Sequence, residues 1–194
     1  MSKRSNSKVG KVYKFVHRRD EYVKTNLFGR DFVSKHNFVS LSKDGVLRIN
    51  GSREDGYAWD GCTPKFELLD LVFGTPDGRL DYLTEKPITY YASMVHDVLY
   101  QHNEEIRISR QTADYLFYKI LSEAGFFWAP IYYLAVRLLG AIFGKWSSKE
   151  RTIDIRIIEC SWIIRAYEYA RSMNDDKLED EPLVKKAKEY LDSK

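Results

Sequence analysis

The chain has 194 residues, of which 44% are hydrophobic and 14% aromatic, and this length can bury one core without needing a second. Lysine and arginine number 31 against 28 aspartate and glutamate residues, and the formal net charge of only +3 argues against a protein that binds nucleic acid through charge. Two cysteines exclude a disulfide framework, so we expect an apolar core to hold the fold in a reducing cytoplasm.

Basic residues are concentrated at the start of the chain. Residues 1–24 contain eight lysines or arginines, against the two acidic residues Asp20 and Glu21. We interpret residues 1–10 as a flexible, solvated basic arm. No apolar run follows these charges, so the stretch does not have the pattern of a secretory signal, and we expect the protein in the cytoplasm of the producing cell.

The part of the chain that follows has the pattern of short strands. Apolar runs at residues 11–16, 37–42 and 46–52 predict strands, and Asp44-Gly45 between the last two predicts a hairpin turn. Residues 56–64 are dense in glycine, aromatic residues and proline, which favours a tightly shaped loop. These features predict a small antiparallel β-region.

Helices are predicted after this β-region. Residues 89–101 carry apolar side chains at helical spacing on one side. Four polar residues share another side of the same helix: Ser93, His96, Asp97 and Tyr100. A second helix is indicated by Ser109 as its N-cap and Gly125 as its stop, and it carries Asp114 at the margin of an apolar face.

The longest apolar stretch runs from Phe126 to Gly144 and approaches the length of a membrane span. Pro130 interrupts it and Arg137 lies near its middle, so we favour a buried or surface-docking helix over a transmembrane one. Residues 152–173 predict a further long helix, although their first residues alternate like a strand. Residues 174–194 have the composition of a charged tail with a short amphipathic pattern after Pro182.

Together these patterns predict an α+β fold. We expect a small N-terminal antiparallel β-region followed by a helical core, in which an antiparallel helix pair carries His96 and Asp97 on one helix and Asp114 on the other. Residues 11–173 form the expected single domain, between the basic arm and the charged tail.

The polar residues of the helix pair suit the activation of a water molecule. A neutral imidazole such as that of His96 accepts a proton near pH 7, because its unperturbed pKa is about 6.5. The adjacent Asp97 points about 100° further round the helix, where a carboxylate can hold a hard cation beside that water. Asp114 can accept the other ring N–H and set the tautomer.

This arrangement resembles the secreted calcium-dependent sn-2 phospholipases, whose catalytic helix reads His-Asp-x-x-Tyr and whose partner helix supplies an aspartate. The matching run here is Val95-His96-Asp97-Val98-Leu99-Tyr100. Their prokaryotic and fungal branch has a loop before this helix like Trp59-Asp60-Gly61-Cys62-Thr63-Pro64, and a run after it like that of residues 110–117. In contrast to those enzymes, this chain has only two cysteines and a loop with less glycine.

The resemblance implies a role for each residue. His96 would be the general base, Asp114 the carboxylate that orients it, and Tyr100 a support for that network. The implied cofactor is calcium, and its expected ligands are the Asp97 carboxylate and backbone carbonyls of the loop. The loop residues concerned are Trp59, Gly61 and Thr63. Simpler explanations also exist, since Trp59 and Tyr100 suit core packing.

The chain also resembles a phage-associated family of small proteins of unknown function. The shared features are a β-rich front, an Ala-x-x-x-His-Asp-x-x-Tyr helix, a following Ala-Asp helix and an Ala-Val-Arg-x-x-Gly segment. Residues 92–100, 113–114 and 135–140 carry these features here. This resemblance indicates a related family but implies no activity. It adds association with a virion as a further expectation for the protein's location.

Two functions of different classes follow from these patterns. The first is a calcium-assisted hydrolase of phospholipid esters, in which the apolar segment from Phe126 to Gly144 helps the protein meet a lipid or membrane surface. The second is a non-catalytic phage structural or host-interaction protein that keeps the same scaffold for packing and binding. Neither involves a specific nucleic acid partner.

Overall fold

The computed structural model describes residues 13–53, 55–61, 66–68, 71–73, 77–139, 146 and 154–193. Strands precede helices along most of this chain, which confirms the predicted α+β class. The strands are β1 (Phe15–His17), β2 (Asp20–Thr25), β3 (Phe32–Val33), β4 (Val39–Leu41), β5 (Val46–Asn50), β6 (Tyr57–Trp59), β7 (Phe66–Leu68), β8 (Leu71–Phe73), β9 (Leu80–Asp81), β10 (Lys86–Pro87) and β11 (Ile157–Cys160). The helices are α1 (Tyr90–Gln101), α2 (Arg110–Glu123), α3 (Ala129–Leu139), α4 (Ser161–Met173), a 3₁₀ helix (Asp176–Asp180) and α5 (Pro182–Asp192).

The largest sheet has five antiparallel strands in the order β11-β2-β5-β4-β3. Val23 of β2 lies opposite Leu47 of β5 on one side and Cys160 of β11 on the other, and all three are buried. Two-stranded antiparallel ladders join β1 to β6, β7 to β8 and β9 to β10. The ladder of β1 and β6 matters for the site, because it places Tyr57 and Trp59 beside α1.

The strand pattern was predicted in part. The hairpin turn at Asp44-Gly45 between β4 and β5 is confirmed, and the Gly45 N–H donates to the carbonyl of Ser42 at 3.0 Å. The interior strand β2 was not predicted, because two of its three buried residues are the polar Glu21 and Thr25. Their burial hides the alternation of apolar and polar residues that reveals most strands.

Both helices of the central pair lie where the sequence predicted them. α1 begins after Thr89 and buries its apolar side. Ser109 caps α2, since its hydroxyl oxygen accepts a hydrogen bond from the Thr112 N–H at 3.2 Å, and Gly125 follows the helix end. α1 packs antiparallel to α2, and α2 packs in turn against α3. The three helices therefore form a continuous layer.

The long apolar stretch forms the shorter helix α3. Pro130 does not break it, because the residue lies in the first turn, where a missing N–H leaves no hydrogen bond unmade. Residues 140–144, the end of the predicted segment, lie outside the described residues. Within the described part of the chain, no helix has the length and hydrophobicity needed to span a membrane.

The prediction of one helix over residues 152–173 is wrong for its first part. Ile157–Cys160 forms β11, which pairs with β2, and among the described residues of this range the helix is Ser161–Met173. The alternation of its buried residues is a strand period, and the edge of the sheet was available to pair with it. The segment expected as a charged tail contains α5, which packs against α4 and buries Leu183, Val184, Ala187 and Tyr190.

Replacement of the α2 cap tests how far α2 depends on it. We expect Ser109→Ala to lower the free energy of unfolding by about 1 kcal/mol, because the backbone N–H of Thr112, in the first turn of α2, loses its acceptor. Ser122→Ala is the matched control, since the Ser122 hydroxyl is exposed and bonds only to the carbonyl of Tyr118 within the same helix. Urea denaturation measures the free energy of unfolding of both variants. Equal losses of stability in the two variants would contradict the assignment of Ser109 as the cap of α2.

Candidate functional site

Three helices converge on the carboxylate of Asp114, whose side chain is completely buried. His96 Nε2 lies 3.0 Å from Asp114 Oδ1, and the Tyr100 hydroxyl donates to the same oxygen at 2.6 Å. Arg137 Nη1 on α3 donates to Asp114 Oδ2 at 2.9 Å. The structure thus brings together His96, Tyr100 and Asp114 as the sequence suggested, and adds Arg137.

Local sequence explains how α1 presents these groups. Met94, Val95, Val98 and Leu99 are buried and fix the helix against the core. His96 and Tyr100 are one helical turn apart, so their rings lie side by side with centroids 4.2 Å apart. On α2, Ala113 and Phe117 are buried on either side of Asp114 along the chain, which holds the carboxylate inside the helix layer.

The hydrogen bonds decide the charge of Asp114. Burial raises the pKa of this carboxyl, but the hydrogen bonds from His96, Tyr100 and Arg137 outweigh burial and leave the pKa below its usual range. Burial and the adjacent Asp114 charge raise the pKa of the Tyr100 hydroxyl well above its usual range. Asp114 is therefore an anion and Tyr100 a neutral donor at neutral pH.

The imidazole of His96 has one engaged nitrogen and one free nitrogen. Because a carboxylate can only accept, Nε2 carries the hydrogen, and in the neutral imidazole Nδ1 then keeps its lone pair. Among the described residues, Nδ1 has no hydrogen-bond partner, and 15% of the His96 side chain remains exposed. The Phe117 ring, with its centroid 4.9 Å away, covers part of the imidazole. This tautomer is the one that can take a proton from water.

Asp97 belongs to a different group of contacts. Its Oδ2 accepts hydrogen bonds from the Tyr57 hydroxyl at 2.9 Å and from Gln101 Nε2 at 2.6 Å. Burial raises the pKa of Asp97, and the charge of Asp60 adds to this, although the bonds from Tyr57 and Gln101 act in the opposite direction. Within the described residues, Oδ1 forms no hydrogen bond.

The loop predicted to hold calcium is described only in part. The Trp59 side chain is buried, and its indole N–H donates to Ser93 Oγ at 3.1 Å, so this ring is a core residue. Gly61 has a φ of +78°, and a Cβ there would lie 2.6 Å from a carboxylate oxygen of Asp77. Thr63 lies outside the described residues. In the parts of the chain that are described, no three His, Cys, Asp or Glu side chains gather as a metal-binding group.

Sequence reasoning missed several polar residues around the site. Arg137 was visible as the charge inside an apolar segment, a pattern that signals a buried partner. Tyr57 gave no such signal. Arg110 Nη1 and Trp146 Nε1 are buried without a hydrogen-bond partner among the described residues, and the Trp146 ring lies against Tyr100 with centroids 5.0 Å apart. Unpartnered buried donors are rare in folded proteins.

The pH dependence of stability tests the charge of Asp114. A carboxyl whose pKa is lowered on folding contributes stability that is fully present above its unfolded pKa, about 3.9, and is lost as the pH falls through the lower folded value. We expect Asp114→Asn to cost about 3 kcal/mol near pH 7, because Arg137 then loses its anionic partner.

The difference in the free energy of unfolding between the wild type and Asp114→Asn should become smaller as the pH falls from about 5 to about 3. Asp192→Asn is the control, since Asp192 is exposed at the end of α5, and its effect should stay near zero throughout. Denaturation at a series of pH values measures both variants. A difference for Asp114→Asn that does not change with pH would show that folding does not lower the pKa of this carboxyl.

Comparison with known proteins gives one match. Residues 80–136 match the family model described as "Protein of unknown function (DUF1353)". No curated protein and no solved structure matches the chain. The matched segment covers β9, β10, α1, α2 and most of α3, and it contains His96, Asp97, Tyr100 and Asp114. The candidate site therefore lies in the part of the chain that is similar to this family of unknown function.

Proposed function

We propose that the protein is a hydrolase in which His96 activates water for attack on a carboxylic ester, with a phospholipid as the preferred substrate. The observation that carries this proposal is the pairing of a buried, anionic Asp114 with His96 Nε2, which leaves Nδ1 unpaired among the described residues and the ring partly exposed. An imidazole held in this tautomer is a general base near neutral pH.

The proposed reaction uses one water molecule and returns the base unchanged. Nδ1 takes a proton from the water while its oxygen forms a bond to the ester carbonyl carbon. The tetrahedral intermediate then collapses, the bond from carbon to the leaving oxygen breaks, and the imidazolium returns its proton to that oxygen. Asp114 stabilises the imidazolium through the Nε2–H bond, and the bonds from Tyr100 and Arg137 keep the carboxylate in place.

Calcium is the cofactor that we propose for this reaction, with Asp97 as its carboxylate ligand. Asp97 Oδ1 forms no hydrogen bond within the described residues. Burial is the main cause of the raised Asp97 pKa, and the charge of Asp60 adds a smaller contribution, so a divalent cation would relieve repulsion between the two carboxylates. Trp59 and Gly61 flank Asp60 and would supply carbonyl oxygens. Bound there, the ion would stabilise negative charge on the ester oxygen.

The alternative proposal is a non-catalytic phage structural or host-interaction protein. One observation favours it: the imidazole of His96 is packed between the rings of Tyr100 and Phe117, while Asp114 joins three helices. A cluster of this kind stabilises a scaffold without needing a substrate. Under the first proposal, removal of the His96 imidazole lowers a rate of ester hydrolysis. Under the second, it changes only the stability of the fold.

Phospholipid hydrolysis by purified full-length protein tests the first proposal. We expect His96→Gln to lower the rate at least about 100-fold, since general base catalysis contributes about 10² to 10⁴. His36→Gln is the matched control, because His36 lies on the connection between β3 and β4 and is not one of the residues hydrogen-bonded to Asp114. Circular dichroism and melting temperature confirm folding of each variant. Equal rates for wild type and His96→Gln, in a folded protein, would favour the scaffold proposal.

Thermal stability tests the calcium site without relying on activity. A ligand that binds only the folded protein at about 100 times its dissociation constant stabilises by about 2.7 kcal/mol. We expect calcium to raise the melting temperature of the wild type and a chelator to reverse the rise. The rise should be absent in Asp97→Asn and preserved in Asp192→Asn. No rise in the wild type would remove calcium from the proposal and leave the water-activating pair to be judged by the rate assay.

A further inference from the structure

A cavity lies between α5 and the first residues of β11. Its volume is about 360 Å³, which falls within the range of about 300 to 1,000 Å³ that is usual for small-molecule sites. The residues that line it come from the turn after β2, from β11 with the residue before it, and from the second half of α5 with the residue after it. None of them is hydrogen-bonded to Asp114, so the cavity is not part of the candidate site.

Two neighbouring isoleucines of β11 give the cavity an apolar wall. Successive side chains of a regular strand point to opposite faces, yet Ile157 and Ile158 both line this cavity. The reason is a shift in the pairing of β11 with β2 between Ile157 and Glu159, since an irregularity of this kind redirects a side chain. The rings of Phe28 and Tyr190 add further apolar surface. The cavity can therefore hold the apolar part of a ligand.

Hydrogen bonds hold the walls of the cavity in place. The Tyr190 hydroxyl donates to the Glu123 carboxylate on α2, which fixes the position of the ring. Asn26 Nδ2 donates to the carbonyl of Asp154 at 2.6 Å, and Asn26 Oδ1 accepts from the backbone N–H of Arg156 at 2.9 Å. The turn after β2 is thereby tied to the residues before β11. Walls that are already ordered reduce the entropy that a ligand loses on binding.

The charged residues of the cavity differ in how far their charge is compensated. Lys186 Nζ lies 2.9 Å from a carboxylate oxygen of Glu189 and 3.6 Å from one of Glu123. Arg156 Nε lies 3.9 Å from Asp154 Oδ2, and the Asp154 side chain is 84% exposed. An exposed pair at this distance contributes little, so the guanidinium of Arg156 can take a second anion. A guanidinium binds a carboxylate through two parallel hydrogen bonds.

We propose that this cavity binds a small organic carboxylate with an apolar body. The apolar body contacts Ile157, Ile158 and Tyr190, and the carboxylate pairs with Arg156. One weakly compensated cation near the acidic Glu189 suits a single negative charge better than the double charge of a phosphate. The inference goes beyond the proposed hydrolysis and does not depend on it, because none of these residues takes part in that reaction.

Titration of the full chain with hexanoate, followed through backbone amide chemical shifts in NMR spectra, tests this binding. We expect saturable shifts at Ile157, Ile158 and Tyr190. Hexanoate should bind about tenfold more tightly than butyrate, because two further methylene groups leave water. Hexanamide has the chain without the charge, and inorganic phosphate has the charge without the chain. Each should bind at least about fivefold more weakly than hexanoate.

Substitution of Arg156 tests the role of its charge. Arg156→Gln should weaken hexanoate binding at least about fivefold and leave hexanamide binding unchanged. Arg107→Gln is the matched control, because Arg107 is exposed on the connection between α1 and α2 and does not line the cavity. His96→Gln should bind hexanoate like the wild type, which keeps this result separate from the assay of ester hydrolysis. Circular dichroism confirms folding of each variant.

Three results would overturn the inference. The first is the absence of saturable shifts at the amides that line the cavity. The second is binding of butyrate, hexanamide or phosphate as tightly as hexanoate. The third is equal binding of hexanoate by Arg156→Gln and by the wild type.

Discussion

The helical layer depends on one buried carboxylate. Asp114 lies on α2, yet its three hydrogen bonds come from His96 and Tyr100 on α1 and from Arg137 on α3. An unpaired charge inside a protein is costly, so each of these donors is needed to keep Asp114 ionised where it is. The same bonds fix the distance between the helices and the tautomer of the imidazole, which makes the stability of the layer and the chemistry of His96 inseparable.

A second buried carboxylate plays a similar part on the other side of α1. Glu21 on strand β2 accepts hydrogen bonds from His17 on β1 and from Ser161 and Arg165 on α4, and its side chain is completely buried. His17 is in turn hydrogen-bonded to the Tyr90 hydroxyl at the start of α1. Both nitrogens of His17 are thus engaged, whereas His96 keeps one nitrogen without a partner in the described residues. This contrast supports the proposal that His96 acts as a base, while His17 holds strands and helices together.

Helix α3 has one side on the candidate site and another side exposed to solvent. Its inner side supplies Arg137 to the carboxylate at the centre of the helix layer, and its outer side is a stripe of exposed apolar residues. The exposed side of this short helix is more apolar than is usual for a surface in contact with water. Within the described residues, the helix is also too short to cross a bilayer.

The sequence by itself determined the features that depend on neighbours along the chain. Helical spacing placed His96 and Tyr100 on one face of α1, Ser109 predicted the start of α2, and Asp44-Gly45 predicted the hairpin, because each depends on contacts within a few residues. The antiparallel pairing of α1 with α2, and with it the α+β class, followed from the same patterns.

Only the tertiary structure decided which distant residues complete the site and the sheet. Arg137 meets Asp114 across 23 positions and Tyr57 meets Asp97 across 40, and no local pattern specifies either contact. The strand Ile157–Cys160 was predicted as helix because its residues suit both elements, and the free edge of β2 settled the choice. Local periodicity sets the faces of helices and strands, while the pairing of those faces depends on packing of the whole chain, which no short window of sequence contains.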